Sequence, residues 1–195
     1  MGAITSALFL SLYDRLKPGR SYRIDEMYAD VEYMAAKVLR DATLHTEITR
    51  AYSFMIHNSG GDPFIGNEKF MTITDEAVNH GVRRIKGDYF KFYFKDDESF
   101  PKTISDTIKS PRQLMMLDTA LMPEGFMKRR LEADQIRTAF IFFLANGNKN
   151  MFFAVFETGM TPGEMVDSRR MAPVDTYVEK LRAVYREAER KKWLL

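Results

Sequence analysis

Cysteine is absent from the 195 residues of this sequence. The chain therefore cannot form a disulfide, a thiolate zinc site or an iron–sulfur site, and it has no cysteine nucleophile. Apolar runs are also short: the longest, 139–145, suits a buried strand and is far from the roughly 18 residues of a membrane span. Met1 to Ser6 lack the positively charged start of a signal peptide. These absences predict a cytoplasmic protein with no membrane partner.

A large charge imbalance is missing as well. The 29 basic and 27 acidic residues leave a formal net charge of +2, so bulk charge does not mark a nucleic-acid binder and only local clusters could. Aromatic and thioether side chains are plentiful instead, with 15 Phe, 9 Tyr and 13 Met. They predict a core of large, irregularly packed groups, some of which could face a partner.

The length and composition predict a single α+β domain over residues 1–195. A subdivision is possible at the segment 57–63, where two glycines and an Asp-Pro pair are typical of a loop. It would separate a helical part, 1–57, from a sheet with further helices, 64–195.

Apolar side chains recur every three to four positions in several segments, which is typical of helices with one buried face. Asp25 is a predicted N-cap and Ser110-Pro111 a predicted helix start. The predicted helices are 6–16, 25–42, a single turn at 75–81, a helix from 110 to 122, and a C-terminal helix that begins just after Pro173. The segment 47–56 is ambiguous between helix and strand, and the spacing of its apolar residues favours a helix.

Alternating or continuous apolar residues predict four strands, at 70–74, 89–95, 136–145 and 151–157. The last two form a β-hairpin closed by the glycine-containing loop 146–150. Polar and apolar residues do not alternate in the first strand of this hairpin, so we expect helices to pack on both of its faces. The fold class is therefore α+β: a helical N-terminal region, a mainly antiparallel sheet in the middle, and an amphipathic C-terminal helix packed on the sheet.

The strand predicted at 89–95 carries the leading functional hypothesis, a non-catalytic nucleic-acid-binding or regulatory protein. Tyrosine and lysine alternate on one of its faces, and single-stranded nucleic acids bind where rings stack on bases and cations follow phosphates. The same alternation is also the default for a half-buried or edge strand. The predicted nucleic-acid-binding residues are Arg83, Arg84, Lys86, Tyr89, Lys91, Tyr93 and Lys95.

Another protein is the alternative partner. Met115, Met116, Met122 and Met127 lie around one predicted helix and could form the Met and aromatic surface of an adaptor or inhibitor. The N-terminal helices could also form a helix-turn-helix, but acidic residues at 25–32 oppose contact with phosphates, which favours plain helix packing.

A third hypothesis is a hydrolase or nuclease centred on His57. It requires His57, Asp62 and either Glu68 or His80 to meet in a cleft. The sequence has no His-Glu-x-x-His, no G-x-S-x-G, no P-loop and no dinucleotide fingerprint. We therefore predict no catalytic residue, no metal ligand and no cofactor.

Overall fold

The computed structural model describes residues 19–57, 69–93, 99–147 and 150–190. The helices in these ranges are α1 (Gly19–His45), α2 (Ser99–Lys109), α3 (Phe126–Ala133), α4 (Pro162–Met165) and α5 (Ser168–Arg190). The strands are β1 (Arg50–His57), β2 (Phe70–Val78), β3 (Phe92–Tyr93), β4 (Leu114–Asp118), β5 (Thr138–Asn146) and β6 (Asn150–Thr158). Two 3-10 helices, Lys86–Tyr89 and Thr119–Leu121, complete the elements.

The six strands form one antiparallel sheet in the order β3-β2-β1-β6-β5-β4. The predicted hairpin is confirmed as β5 and β6, which pair Phe140 with Phe156 and Thr138 with Thr158. Strands that precede and follow the segment 57–63 lie side by side in this sheet, because β1 pairs with both β2 and β6. The predicted α+β fold class is confirmed.

Helices α1 and α5 cover one face of the sheet. The buried residues of α5 recur at spacings of three and four, which gives the helix one apolar side. These residues are Val174, Val178, Leu181, Tyr185 and Ala188, and they pack with Phe142, Phe152 and Phe156 of the sheet. The predicted C-terminal helix is thus confirmed, although it begins at Ser168, five residues before Pro173. The Asp167 carboxylate accepts the Arg169 backbone N–H at 2.9 Å, which starts the helix earlier than the proline does.

The second face is covered by α2, α3 and the 3-10 helix Lys86–Tyr89. Its core is rich in aromatic rings, including Phe54 of β1, Phe100 of α2 and Phe153 of β6. Residues 138–145 of β5 are all buried, so both faces of this strand are covered, as its continuous apolar run predicts.

The helix predicted at 47–56 is wrong, because Arg50–His57 is strand β1. β1 lies between β2 and β6, and six of its first seven residues are buried. A strand buried on both faces has no polar alternation, so its apolar residues matched the helical period by chance. The helical turn predicted at 75–81 is also wrong, since β2 continues to Val78.

The helix predicted at 110–122 is wrong as well. Ser110 lies in the turn after α2, where its hydroxyl accepts the Leu114 backbone N–H at 2.8 Å, and Gln113 has a φ of 51°. The chain then enters strand β4, so the Ser-Pro pair marks a turn and not a helix start. Helix α2 itself was missed, although Phe100, Ile104 and Thr107 have helical spacing.

Helix α1 runs from Gly19 to His45, so Asp25 lies inside the helix and is not its N-cap. The predicted helix 6–16, and with it the helix-turn-helix hypothesis, lies outside the described residues. Among the helices described, none combines the length and the hydropathy needed to cross a membrane.

Candidate functional site

The strand predicted at 89–95 is wrong for residues 89–91, and of the described residues in this segment only Phe92–Tyr93 form a strand. Tyr89 ends a 3-10 helix with a side chain that is 2% exposed, whereas Phe90 is 70% exposed. Lys91 has a φ of 54°, which breaks any strand before the two-residue β3. Lys95 lies outside the described residues. The physical reason is the ring of Tyr89, which packs at 5.2 Å from Phe92 and so turns the chain inward.

The basic residues predicted to bind phosphates contact the protein's own groups. Arg83 pairs with Asp88 at 2.6 Å and with Asp134 at 3.5 Å. Arg84 donates to the backbone oxygen of Glu76 at 3.3 Å, and the Lys86 ammonium donates to the backbone oxygen of Thr74. These contacts hold the segment before Tyr89 against β2, while the side chains of Arg83, Arg84 and Lys86 remain exposed.

Tyr93 and Lys91 do not form a shared stacking platform. Tyr93 is half-buried, with its ring centroid 5.3 Å from that of Phe70. Lys91 is exposed, with its ammonium 5.7 Å from the centroid of the Phe90 ring. The alternation of Tyr and Lys in the sequence is therefore not an alternation in space.

The geometry excludes the pairing of His57 with His80 that one form of the histidine hypothesis requires. His57 ends β1, where its Nε2 lies 2.9 Å from Thr72 Oγ1, while His80 follows the opposite end of β2. A strand of that length separates the two imidazoles by roughly 25 Å. Asp62 and Glu68 lie outside the described residues. Among the residues that the structure describes, no three metal-ligating side chains form a group that could hold a metal ion.

The four methionines of the adaptor hypothesis do not share a helix. Met115 and Met116 belong to β4, Met122 follows a 3-10 helix, and Met127 is buried in α3. Met116 is 40% exposed, but the others do not extend it into a continuous patch on one element.

A cluster of charged side chains instead lies buried on the sheet face that α3 covers. We call it the Arg50–Glu157 cluster; its residues are Arg50, Glu76, Arg130, Asp134 and Glu157. Arg50 is fully buried and donates from Nη1 to Glu157 Oε2 at 3.0 Å and from Nη2 to Asp134 Oδ2 at 2.8 Å. Its Nε lies 3.8 Å from Glu76 Oε1.

Glu157 collects three donors in this cluster. Its Oε1 accepts from Arg130 Nη1 at 2.6 Å and from the Tyr52 hydroxyl at 3.0 Å, while Oε2 accepts from Arg50. Burial raises the pKa of Tyr52 well above its usual value, and the negative charge of Glu157 raises it further. Burial alone would lower the pKa of Arg130, but Glu157 and two tyrosines raise it well above its usual value. Tyr52 is therefore a neutral donor and Arg130 a permanent cation.

A β-bulge positions Glu76 for this cluster. The register pairs Phe54 with Ile73 and Ser53 with Asp75, so Thr74 is the extra residue. The bulge turns Glu76 to the face of the cluster and Asp75 to the opposite face. Glu76 then accepts the backbone N–H groups of Ile85 at 2.7 Å and of Lys86 at 3.1 Å.

Three buried donors on this face have no hydrogen-bond partner among the described residues: Arg50 Nε, Arg130 Nε and the Tyr89 hydroxyl. The Arg130 guanidinium lies 5.8 Å from the centroid of the Tyr89 ring, so two of these donors belong to neighbouring side chains. Buried donors usually have an acceptor, because leaving one unpaired costs roughly 1 to 3 kcal/mol. Burial raises the pKa of Tyr89, and the charge of Arg130 opposes part of that shift, so these two side chains interact with each other under the cover of α3.

Aromatic rings continue from the cluster along the same face. Phe54 stacks on Phe153 with centroids 5.0 Å apart, and Phe92 stacks on Phe126 at 5.2 Å. Phe126 is 36% exposed, so this aromatic layer reaches the surface at α3. The face thus combines a polar end, the Arg50–Glu157 cluster, with an apolar aromatic layer.

Comparisons with known proteins identify the fold. No family model and no curated protein matches the chain. The GAF domain region of a putative membrane protein from Geobacter sulfurreducens PCA matches with a TM-score of 0.56 and 9% identity, over 84% of this chain and 98% of that one. This chain has the GAF fold.

Two further GAF domains match over similar lengths. The phycocyanobilin-bound GAF domain of a cyanobacterial phytochrome has a TM-score of 0.53 and 10% identity, over 86% of this chain and 94% of that one. The GAF domain of Thermosynechococcus elongatus PixJ, in its blue-light-absorbing form, has a TM-score of 0.55 and 10% identity, over 86% and 90%. At such low identity the likeness shows the fold alone.

The GAF fold corrects the predicted function. The matched structures are GAF domains, among them domains that hold a bilin, and the nucleic-acid-binding hypothesis is wrong. The adaptor and hydrolase hypotheses have no support in these matches either.

Sequence reasoning missed the Arg50–Glu157 cluster, although one signal was present. Arg50 lies just before an apolar segment and Glu157 directly follows the apolar run 151–156. Charged residues next to buried strands are rarely fully buried unless they pair with each other. Their pairing across 107 positions is a property of the sheet register, which the sequence pattern does not contain.

Proposed function

We propose that this chain is a sensory domain that binds a small molecule on the sheet face formed by the Arg50–Glu157 cluster and the aromatic layer. The observation that carries the proposal is Arg130, a buried cation whose Nε has no acceptor among the described residues. A guanidinium group binds carbonyl, carboxylate or phosphate oxygens with directed hydrogen bonds. The ligand class is a planar molecule that carries such an oxygen.

The energetics of the cluster support a role beyond stability. Burying ion pairs costs desolvation energy, and well-packed apolar side chains in their place are often equally stable or more so. Buried, interacting ionisable groups are also characteristic of ligand and active sites. Two guanidinium and three carboxylate groups on one face fit a site whose polar groups are held ready for a ligand.

The matched bilin-bound GAF domains support a small-molecule ligand as well. A bilin could not be attached to this chain through a thioether, because the sequence has no cysteine. The proposed ligand is therefore held without a covalent bond to sulfur.

The sheet offers a route from this face to α1 and α5. Neighbouring residues of a strand point to opposite faces, so β1 presents Tyr52 to the cluster and Ala51 to the helices. A ligand that shifts β1 or β6 changes the packing of α1 and α5, which is the proposed signal.

A thermal-shift titration of the purified chain tests the proposal, using a panel of planar, oxygen-bearing compounds that includes a free bilin. A ligand at a hundred times its Kd should raise Tm by about 5 to 10 °C. The Arg130→Met variant should lose this shift, whereas Arg129→Met, on the exposed neighbouring side chain of α3, should keep it.

Circular dichroism checks that both variants are folded, and Arg130→Lys retains the charge if methionine does not fold. A ligand that stabilises the Arg130 variants as strongly as the parent chain would place binding elsewhere. The sensory function would be contradicted if no compound of the panel raised Tm and native mass spectrometry found no co-purified small molecule.

A further inference from the structure

Asp75 is a half-buried carboxylic acid between the sheet and the helices α1 and α5. The bulge at Thr74 directs it away from the Arg50–Glu157 cluster, to the face on which Ala77 packs with α1 and α5. Its Oδ2 is inaccessible to solvent and has no hydrogen-bond partner among the described residues. An ionised carboxylate in this position is poorly compensated.

The charged and titratable groups around Asp75 come from three other elements. Glu32 of α1 carries the same charge and raises the pKa of Asp75, whereas Lys86 of the 3-10 helix lowers it. The Lys86 ammonium is held by the backbone oxygen of Thr74. Tyr185 of α5 is buried, and burial raises its pKa to about 12, so its hydroxyl is neutral.

Desolvation by burial is the largest effect on Asp75. It raises the pKa from 3.8 to about 6, with Lys86 opposing and Glu32 adding to the shift. The ionised form is thus disfavoured in the packed structure by both the loss of water and the proximity of Glu32.

We infer that Asp75 makes the packing of α1 on the sheet depend on pH, with α1 held more tightly when Asp75 is protonated than when it is ionised. α1 packs on β2, the strand of Asp75, and on α5. Glu32 of α1 and Tyr185 of α5 both interact electrostatically with the Asp75 carboxyl group. The inference concerns the face opposite the proposed ligand site and does not depend on a ligand.

Proton linkage gives the direction of the pH effect on α1 packing. The packed state binds more protons than the detached state between the two pKa values, so the stability of packing falls as pH rises from about 4 to 6. Well above pH 6, a further rise in pH no longer changes the stability of α1 packing through Asp75. The equilibrium between packed and detached α1 should fall about tenfold from pH 5 to pH 7.5.

Hydrogen exchange of the full chain, followed by mass spectrometry at pH 5 and pH 7.5, measures this change. After correction for the chemical exchange rate, amides in α1 and β2 should lose about tenfold in protection at the higher pH. Asp75→Asn should abolish the difference and keep the protection at its low-pH level. Asp30→Asn removes an exposed carboxylate of α1 and should leave the difference in protection between pH 5 and pH 7.5 unchanged.

A direct carboxyl titration by NMR gives an independent measurement. A pKa near 6 for Asp75, lowered in Glu32→Gln, supports the inference. A pKa near the ordinary value of 3.8, or an equal pH effect on α1 in the Asp75→Asn variant, overturns it.

Discussion

Glu157 is the residue on which the charged side chains of the proposed ligand face converge. Its two oxygens accept from Arg50, Arg130 and Tyr52, and its side chain has no exposed surface. Removing one partner of a buried ion pair leaves the other charge without compensation, which is more costly than the pair itself is favourable. Glu157 is therefore the residue at which the stability of this face can be tested.

We expect Glu157→Gln to lower the free energy of unfolding by about 3 to 5 kcal/mol, because two buried guanidinium groups lose their shared counter-charge. Urea denaturation followed by circular dichroism measures the change. The matched control is Glu179→Gln on α5, where the exposed carboxylate pairs with Arg182 at 2.7 Å. That pair should contribute less than about 1 kcal/mol. Similar losses in the two variants would show that Glu157 is not held in a desolvated network.

At the scale of elements, a single extra residue determines which side chains each face of β2 receives. Without Thr74 as a bulge, Asp75 would join the Arg50–Glu157 cluster and Glu76 would lie under α1 and α5. Ser53 Oγ and Thr74 Oγ1 lie 2.8 Å apart, and Thr74 also donates to the Ser53 backbone oxygen at 3.2 Å. These side-chain contacts hold the bulge and thereby separate the ligand face from the pH-sensitive face.

The turn after β2 also depends on one residue. Gly81 has a φ of 82°, and a Cβ atom there would meet no neighbour within 4 Å, so the cost of a side chain is conformational alone. Gly81→Ala should therefore destabilise the protein by about 1 to 2 kcal/mol. Gly163→Ala, in the short helix α4, has equal space and no positive φ, and should be stabilising by about 0.5 to 1 kcal/mol.

Thermal unfolding of the two glycine variants measures both effects. Both substitutions add the same methyl group, so stability changes of opposite sign would show that the backbone conformation decides the outcome. A loss of stability at both positions would show that side-chain contacts, and not the φ angle, decide the outcome.

At the scale of the whole molecule, the sheet separates two cores with different chemistry. The core under α1 and α5 consists of apolar side chains with Asp75 at its margin, whereas the core under α2 and α3 combines aromatic rings with buried charges. β1 and β6 are central and covered on both faces, while β3 and β4 lie at the edges. Stability is therefore greatest along the central strands and lower at both margins.

Hydrogen exchange at a single pH should reproduce this order. We expect the amides of β1, β5 and β6 to exchange last, near the rate set by global unfolding, and those of β3 and β4 to exchange earlier through local opening. Mass spectrometry of peptic peptides measures these rates. Equal protection in β4 and β1 would show that the edge strand is covered by something other than the described elements.

The parts of the fold that were predicted are those with a local signal. The β5–β6 hairpin follows from two apolar runs around a glycine-containing loop, and α5 follows from its three-and-four periodicity. β1 was assigned to a helix because burial on both faces removes polar alternation. The segment around Tyr89 was assigned to a strand because its alternation is real in sequence but is interrupted by a 3-10 helix in space.

Of the candidate site, only Tyr89 was named from the sequence, and it was named for a different role. The residues named for nucleic-acid binding were basic or aromatic and close together in sequence, whereas Arg50, Arg130 and Glu157 are far apart. Their side chains meet only because β1 pairs with β6 and α3 packs over both strands. Pairings over such distances depend on the register of the sheet.

The sequence by itself determined the α+β class, the apolar hairpin and the amphipathic C-terminal helix, because periodicity and composition are local properties. Tertiary structure alone decided the GAF topology, the burial of the Arg50–Glu157 cluster and the position of Asp75 under α1. The physical reason is that charge and burial at these residues are set by partners on other elements, which sheet pairing and one bulge bring within hydrogen-bond distance.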